Sequence, residues 1–248
     1  MAGAAGGVSC TPTGNTHVGE GSMSNVVTLE ALHNTAYGYR SLCSLTCGDY
    51  NSAFGSAALC STTTGCNNTA SGYRALCTNS TGTNNTAVGH YALASLTTGG
   101  ENVAVGEYAL QAMTTASNAT AVGWYAGYAH TSGAYLTAVG RGAARYNTTG
   151  ANNTAVGGGA LFTNSTGGSN TAVGYDALGA NTTASFNTAI GIEALKLNTT
   201  GDRNVAVGKG ALESNTVGDR NTGVGVGALA SMNPSSNADM YNLSLIHI

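Results

Sequence analysis

The sequence N-T-A-V-G-H-Y-A-L at residues 85–93 decides the fold, because it returns as N-T-A-I-G-I-E-A-L at residues 187–195. Its glycine recurs at a spacing of 17 residues without a slip, and Gly19 adds one further copy after a gap of 19. A fixed period of this kind is the signature of a repeat protein. The glycines that keep the period are Gly38, Gly55, Gly72, Gly89, Gly106, Gly123, Gly140, Gly157, Gly174, Gly191, Gly208 and Gly225, and we expect all of them to be structural turn residues.

Each repeat is expected to form one coil of a stack. The segment T-A-V is short and β-prone, the glycine permits a turn, and a second short segment, A-L, is followed by a T-T-G turn. Two glycines in most repeats, together with threonine and asparagine at fixed positions, disfavour a helix. The sequence therefore predicts an all-β fold, a parallel β-solenoid (β-roll) of about 12–13 coils with a 17-residue repeat. Neighbouring coils would lie about 4.8 Å apart.

The repeat also predicts how the chain is divided. Residues 1–33 are expected to form an irregular capping segment with one degenerate repeat, and residues 34–229 the β-solenoid itself. Residues 230–248 are expected to hold a degenerate coil, from about residue 237, and a non-native end, since residues 243–248 resemble adapter read-through in assembled sequence. The first seven residues lack the basic and apolar regions of a secretory signal.

Composition excludes several classes of function. Only 8% of the residues are charged and the net charge is −3, so no basic surface is expected to bind nucleic acid. No apolar run reaches the roughly 18 residues of a membrane span. The five histidines have no recurring carboxylate or nucleophile beside them, so we expect neither an enzyme nor a cofactor or metal site.

Equivalent positions of successive repeats, called columns below, differ in how much change they tolerate. Alanine holds eleven of thirteen positions at the centre of T-A-V, and its neighbours are restricted as well. Because strand side chains alternate between two faces, this pattern predicts that both faces are covered, one of them by another copy of the chain. The alternative is that alanine is kept small because the coil is thin. The asparagine before the strand is expected to form a hydrogen-bonded ladder that satisfies turn backbone groups.

Three of the six cysteines share one column. Cys43, Cys60 and Cys77 are spaced by 17 residues, which places neighbouring Cα atoms within the range of a disulfide. Cys60 can bridge one neighbour but not both, so the sequence predicts Cys43–Cys60 or Cys60–Cys77 in an oxidising setting. A zinc site is the rival interpretation, but no C-x-x-C pair or histidine group accompanies these residues.

The columns after the glycine vary and carry the aromatic residues. Tyr91, Tyr108 and Tyr125 share one column, and Trp124 adjoins it. An exposed strip of rings can stack on sugars, so these four residues form a candidate glycan-binding site. The alternative is an aromatic ladder that only stabilises the stack.

Threonine ranks suggest a further alternative. Pairs such as those at residues 97–98 and 148–149 recur in the T-T-G turns, and regular threonine ranks on β-solenoids can bind ice. Turn chemistry explains the same residues, because threonine hydroxyls satisfy turn backbone groups locally.

The string N-[T/V]-A-[V/I]-G-x-x-[A/S], best seen in N-V-A-V-G at residues 204–208, resembles the head repeat of trimeric autotransporter adhesins. In those heads three chains pack as left-handed parallel β-rolls, usually with a shorter period. Similar N-T-A-V-G-Y-x-A-L arrays with T-T-G spacers occur in tail-fibre-like proteins of phages and bacteria. The resemblance covers residues 34–229 and implies a homotrimeric fibre or adhesin-type protein, extracellular, on a cell surface or on a virion, that attaches to a glycan or cell surface. The alternatives are a filament subunit that polymerises end to end, and an ice-binding β-solenoid.

Overall fold

A computed structural model describes residues 9–10, 14–26, 30–233 and 242–245. The chain divides into two compact units, residues 1–119 and residues 120–248. Each unit is a parallel β-solenoid in which one short strand recurs in every coil, and together the units hold about thirteen coils. No helix occurs in the described ranges. The predicted fold class, with its 17-residue repeat, is confirmed.

The strands are three residues long, except for the two-residue β1, and they coincide with the T-A-V segments of the sequence. The first unit contains β1 (Ser9–Cys10), β2 (Thr16–Val18), β3 (Thr35–Tyr37), β4 (Ser52–Phe54), β5 (Thr69–Ser71), β6 (Thr86–Val88) and β7 (Val103–Val105). The second unit contains β8 (Thr120–Val122), β9 (Thr137–Val139), β10 (Thr154–Val156), β11 (Thr171–Val173), β12 (Thr188–Ile190), β13 (Val205–Val207), β14 (Thr222–Val224) and β15 (Leu243–Leu245).

Strand register follows the sequence period. Within each unit, alanine pairs with alanine 17 residues away, as Ala155 does with Ala172. In the first unit β1 runs antiparallel to β2. In the second unit β15 continues the parallel array, with Thr222 opposite Leu243 and Asn242 donating from Nδ2 to Asn221 Oδ1 at 3.1 Å. The degenerate coil expected from residue 237 thus has its strand at Leu243–Leu245, while residues 237–241 lie outside the described residues.

The interior of each coil is narrow. In every strand from β3 to β13 the central alanine is fully buried, whereas the residues on either side of it are half-buried or exposed. We call the surface formed by these flanking residues the strand face. One chain therefore covers only one face of the strands, and the thinness of the coil accounts for the small central residue.

The A-L segment lies in turns and adds no second strand. Its leucines are fully buried but have positive φ, for example 50° at Leu93, and Tyr91 two residues earlier has φ 55°. The Leu93 N–H donates to Ala109 O in the next coil at 3.0 Å, and the Tyr91 N–H donates to Tyr73 O in the preceding coil at 3.0 Å. Alternate N–H groups thus bond to opposite neighbours, which satisfies the backbone and holds side chains in a conformation that they rarely adopt.

The invariant glycine is required by both conformation and space. Gly157 has φ +136°, and a Cβ built on it would lie 2.5 Å from Gly174 O in the next coil. Real Cβ atoms do not approach a carbonyl so closely, and this φ is strained for any residue with a side chain. The prediction that these glycines are structural turn residues is confirmed for the geometry of this column.

Two asparagine ladders run inside the coils. In the ladder predicted before the strand, the Asn204 N–H donates to Asn187 Oδ1 at 2.9 Å, and both side chains are fully buried. A second ladder, which the sequence analysis missed, lies seven residues after the glycine in the second unit. There Asn181 Nδ2 donates to Asn164 Oδ1 at 2.7 Å, and Asn198 Nδ2 to Asn181 Oδ1 at 3.1 Å.

Candidate functional site

The side chains that vary most between coils lie at the first, second, fifth and sixth positions after the invariant glycine, and we call their surface the variable face. In the coil that begins at Gly174 these positions hold Tyr175, Asp176, Gly179 and Ala180. Their backbone is fixed by the same hydrogen bonds in coil after coil, so a change of residue here changes the surface and leaves the interior alone.

The aromatic residues singled out in the sequence fall into two pairs, one in each unit. Tyr91 and Tyr108 are half-buried and stack with ring centroids 5.7 Å apart. Trp124 is 39% exposed and meets the half-buried Tyr125 edge-on at 4.4 Å. The stacked tyrosines have the geometry of a stabilising ladder. Ligand binding by the four residues stays a prediction.

A groove of about 540 Å³ opens on the variable face of the second unit, which is within the range of small-molecule sites. One end is formed by Trp124 and two arginines, and the other by Tyr175, Asp176 and Lys196. Its lining is Trp124, Arg141, Gly142, Arg145, Gly158, Gly159, Phe162, Thr163, Tyr175, Asp176, Gly179, Ala180, Lys196 and Leu197.

Glycines create this groove by leaving side-chain positions empty. Gly158 shares a column with Arg141 one coil earlier and Tyr175 one coil later. A Cβ on Gly158 would lie 3.6 Å from Tyr175 Cδ2, which is ordinary van der Waals contact, and its backbone is not in the left-handed region. The neighbouring Gly159 differs, because its φ is +68° and a Cβ there would collide with Asp176 Oδ1. The gap at residue 158 is therefore a choice of side chain rather than a demand of the backbone.

Aromatic rings surround Arg145. Its guanidinium carbon lies 4.4 Å from the ring centroid of Tyr125, 5.3 Å from that of Tyr146 and 5.7 Å from that of Trp124. Cation–π contacts at these distances hold a guanidinium in place while it stays charged. Arg145 Nε is buried without a hydrogen-bond partner among the described residues.

The other charged groups of the groove are Arg141, Lys196 and Asp176. Arg141 is exposed, with its guanidinium carbon 5.0 Å from the Trp124 ring centroid. Lys196 Nζ lies 2.7 Å from Glu193 Oε1, and this hydrogen bond raises the pKa of Lys196 and lowers that of Glu193. Cations outnumber the single lining carboxylate, so the groove favours an anionic group.

Sequence analysis found only Trp124 of this groove. Arg141, Arg145 and Tyr175 carry no motif, and their proximity results from the stacking of successive coils. The available signal is the run Gly157-Gly158-Gly159, where two extra glycines follow the invariant one in the variable columns. In a repeat whose interior is constant, such a run indicates missing surface.

The cysteine column brings one predicted pair together. Cys43 Sγ and Cys60 Sγ are both thiol sulfurs and lie 2.8 Å apart. Burial, followed by the hydrogen bond with Cys43, raises the pKa of Cys60 to about 12. The buried Cys77 is also a free thiol. Of the two predicted pairings, this geometry favours Cys43–Cys60.

Threonines of the T-T-G turns use their hydroxyls within the solenoid. Thr97 Oγ1 donates to Thr114 O at 3.0 Å, and Thr148 Oγ1 donates to Ser165 O at 2.9 Å in the next coil. The first threonine of each pair therefore has the turn role that was the alternative to ice binding.

Comparison with protein-family models, curated proteins and solved structures finds no match for this chain. Among the residues that the structure covers, no helix is long and apolar enough to cross a membrane. In the same ranges, no cluster of three or more histidine, cysteine, aspartate or glutamate side chains is arranged to hold a metal ion. Any functional assignment must therefore be argued from the surfaces described above.

Proposed function

We propose that this chain is a non-enzymatic structural fibre or adhesin-type protein that presents a repetitive surface for attachment. The observation that supports this function is the division of each coil into a constant interior and a variable face. Alanine, leucine, asparagine and glycine build the interior, while rings, cations and acids alternate on the outside. Such a scaffold presents side chains at fixed spacing without moving parts. A protein with this role would be extracellular, on a cell surface or on a virion.

Self-association belongs to the same proposal. The strand face carries no charged residue in any coil, and it exposes apolar side chains such as Val88, Val122 and Ile190. Uncharged faces with exposed β-branched residues are typical of surfaces that pack against a partner. The partner we propose is another copy of the chain, in a homotrimer.

The attachment function is tested with the intact chain on immobilised cells and mucin-type surfaces. We expect the wild-type protein to attach, and the double variant Tyr108→Ala/Trp124→Ala to attach less while keeping its circular dichroism and melting temperature. Cross-strand aromatic pairs contribute only about 0.2–1 kcal/mol each, so loss of the two rings should not unfold the coils. A wild-type chain that attaches to no surface contradicts the function.

The second candidate is a filament subunit that polymerises through its coil ends. Its specific support is β15, the last described strand, where Leu243 and Leu245 are exposed. Open strand edges invite pairing with another chain. Light scattering separates the two candidates, because a discrete trimer supports the fibre head and polydisperse polymers support the filament. A clean monomer contradicts both forms of self-association.

A further inference from the structure

We propose that the groove of the second unit binds a six-membered sugar ring that carries a carboxylate, as in hexuronic or sialic acids. This inference rests on the proposed attachment function and names the ligand class of one site on the variable face.

The slot for the ring lies beside Tyr175, at the position that Gly158 leaves empty. In other columns the corresponding space is filled by a second ring: Tyr37 stacks on Phe54 with centroids 5.7 Å apart, and His33 on Tyr50 at 5.4 Å. Tyr175 has glycine in that place and is 58% exposed. A flat ring from a ligand can therefore take the stacking position that a side chain occupies elsewhere.

Arg141 and Arg145 supply the groups that recognise a carboxylate. Arg141 bounds the slot on the side opposite Tyr175, since the order in the column is Arg141, Gly158, Tyr175. The cation–π contacts of both arginines leave the edges of their planar guanidinium groups as donors, and this geometry suits bidentate binding of a carboxylate. Arg145 Nε has no hydrogen-bond partner among the described residues, so a donor is available within the arginine pair.

Asp176 makes a saccharide a better fit than a simple anion or an aromatic acid. Its carboxylate lines the groove, and because residue 159 is glycine no side chain from the preceding coil covers Asp176 Oδ1. A carboxylate accepts hydrogen bonds from hydroxyl groups and repels a second anion. A ligand that satisfies the whole groove thus needs one acidic group near Arg141, hydroxyl groups near Asp176 and a ring face for Tyr175.

Binding can be followed without a label, because Trp124 is the only tryptophan of the chain and lines the groove. The probes are trigalacturonate, for hexuronic acids, and 3′-sialyllactose, for sialic acids. The methyl ester of trigalacturonate and lactose are their neutral controls. We expect a saturable change in tryptophan fluorescence with at least one acidic probe, and binding about tenfold or more weaker with its neutral control, since a charged hydrogen bond is lost. Inorganic phosphate that binds as tightly as the sugars would overturn the proposal.

Two variants locate the binding. Gly158→Tyr fills the slot with a residue that the same column carries at Tyr39, Tyr73 and Tyr175, and its matched control is Ser56→Tyr in the first unit. Arg141→Gln removes the carboxylate donor, with Arg203→Gln, outside the groove, as its control. We expect both groove variants to keep the melting temperature and to lose about tenfold or more in affinity, while the controls bind like wild type.

The outcomes distinguish this inference from the proposed function. Attachment of the intact chain with no saturable binding of either acidic probe overturns the groove assignment and leaves the attachment function standing. Unchanged affinity in a folded Gly158→Tyr variant also overturns it. Acidic-sugar binding that is lost in both groove variants supports it.

Discussion

Nδ1 of His130 lies 2.9 Å from Nδ2 of Asn147, so a histidine occupies the ladder position that asparagine holds in the following coils. The His130 ring is fully buried, and its Nε2 is within hydrogen-bonding distance of Gly133 O. Burial lowers the pKa of His130 from its ordinary value of 6.5. The folded second unit therefore favours the neutral ring, whereas the unfolded chain protonates at the ordinary pKa.

This difference predicts that stability decreases as the pH falls. Above pH 6.5 the ring is neutral in both states and contributes no pH dependence. Below that value the unfolded chain binds a proton that the folded chain excludes, so the free energy of unfolding drops with decreasing pH. We expect His130→Asn to reduce the drop in melting temperature between pH 7 and pH 5. The control is His90→Asn at an exposed site, which should leave that drop as in wild type. Equal pH dependence in wild type and His130→Asn would contradict the assignment.

Gly157→Val is expected to be severely destabilising. Backbone strain at φ +136° alone costs about 1–3 kcal/mol, and the side chain would also collide with the Gly174 carbonyl. The neighbouring substitution Gly158→Ala is the matched control, because its Cβ makes an ordinary contact and should change stability by only about 0.5 kcal/mol. Chemical denaturation of both variants measures the difference. Similar midpoints for the two would show that the invariant glycine is not needed for the coil.

The parts of the fold that repeat could be predicted from sequence, because each column is tested many times within one chain. The glycine column, the strand at T-A-V and the first asparagine ladder follow from physical preferences that act at every coil. The positive φ of Leu93 could not be predicted in this way, since leucine disfavours that conformation and only hydrogen bonds to both neighbouring coils impose it. The second ladder escaped notice because leucine, methionine and histidine replace asparagine in some coils, as at Leu96 and Met113.

The groove was harder to predict for a different reason. It depends on which side chains are missing at Gly158 and Gly179, and on what the neighbouring coils place around the gap. A search for aromatic clusters finds Tyr91 and Tyr108, where rings already cover one another, and misses Tyr175, whose ring has an open side. Recognition surfaces on a solenoid are thus read from interruptions of a column as much as from its consensus.

Asn187→Ala tests the buried ladder. Asn187 Oδ1 accepts the backbone N–H of Asn204 at 2.9 Å, and alanine would leave that buried N–H without its acceptor. The Gly201 carbonyl would keep a donor, because Asn198 Nδ2 also bonds to it at 2.9 Å. One unsatisfied buried donor costs about 1–3 kcal/mol, so the denaturation midpoint should fall clearly. Thr183→Ala, at an exposed turn, is the control and should be nearly neutral. A ladder variant as stable as this control would mean that the asparagines only fill space.

The last prediction concerns the cysteine column under oxidising conditions. Cys43 Sγ and Cys60 Sγ are 2.8 Å apart, so we expect oxidised glutathione to convert these two thiols into a disulfide and to leave Cys77 free. The glutathione disulfide accepts the two electrons and is released as two thiols. Because the pKa of Cys60 is about 12, its thiolate is scarce at neutral pH, and bond formation should accelerate as the pH rises. The closed loop of 17 residues should stabilise the chain by roughly 3 kcal/mol. Peptide mapping without reductant identifies the pair. Cys60→Ser should abolish both the bridge and the gain in stability, whereas Cys77→Ser should keep them. A Cys60–Cys77 bridge, or full alkylation of all three cysteines after oxidation, would show that the contact between Cys43 and Cys60 is packing alone.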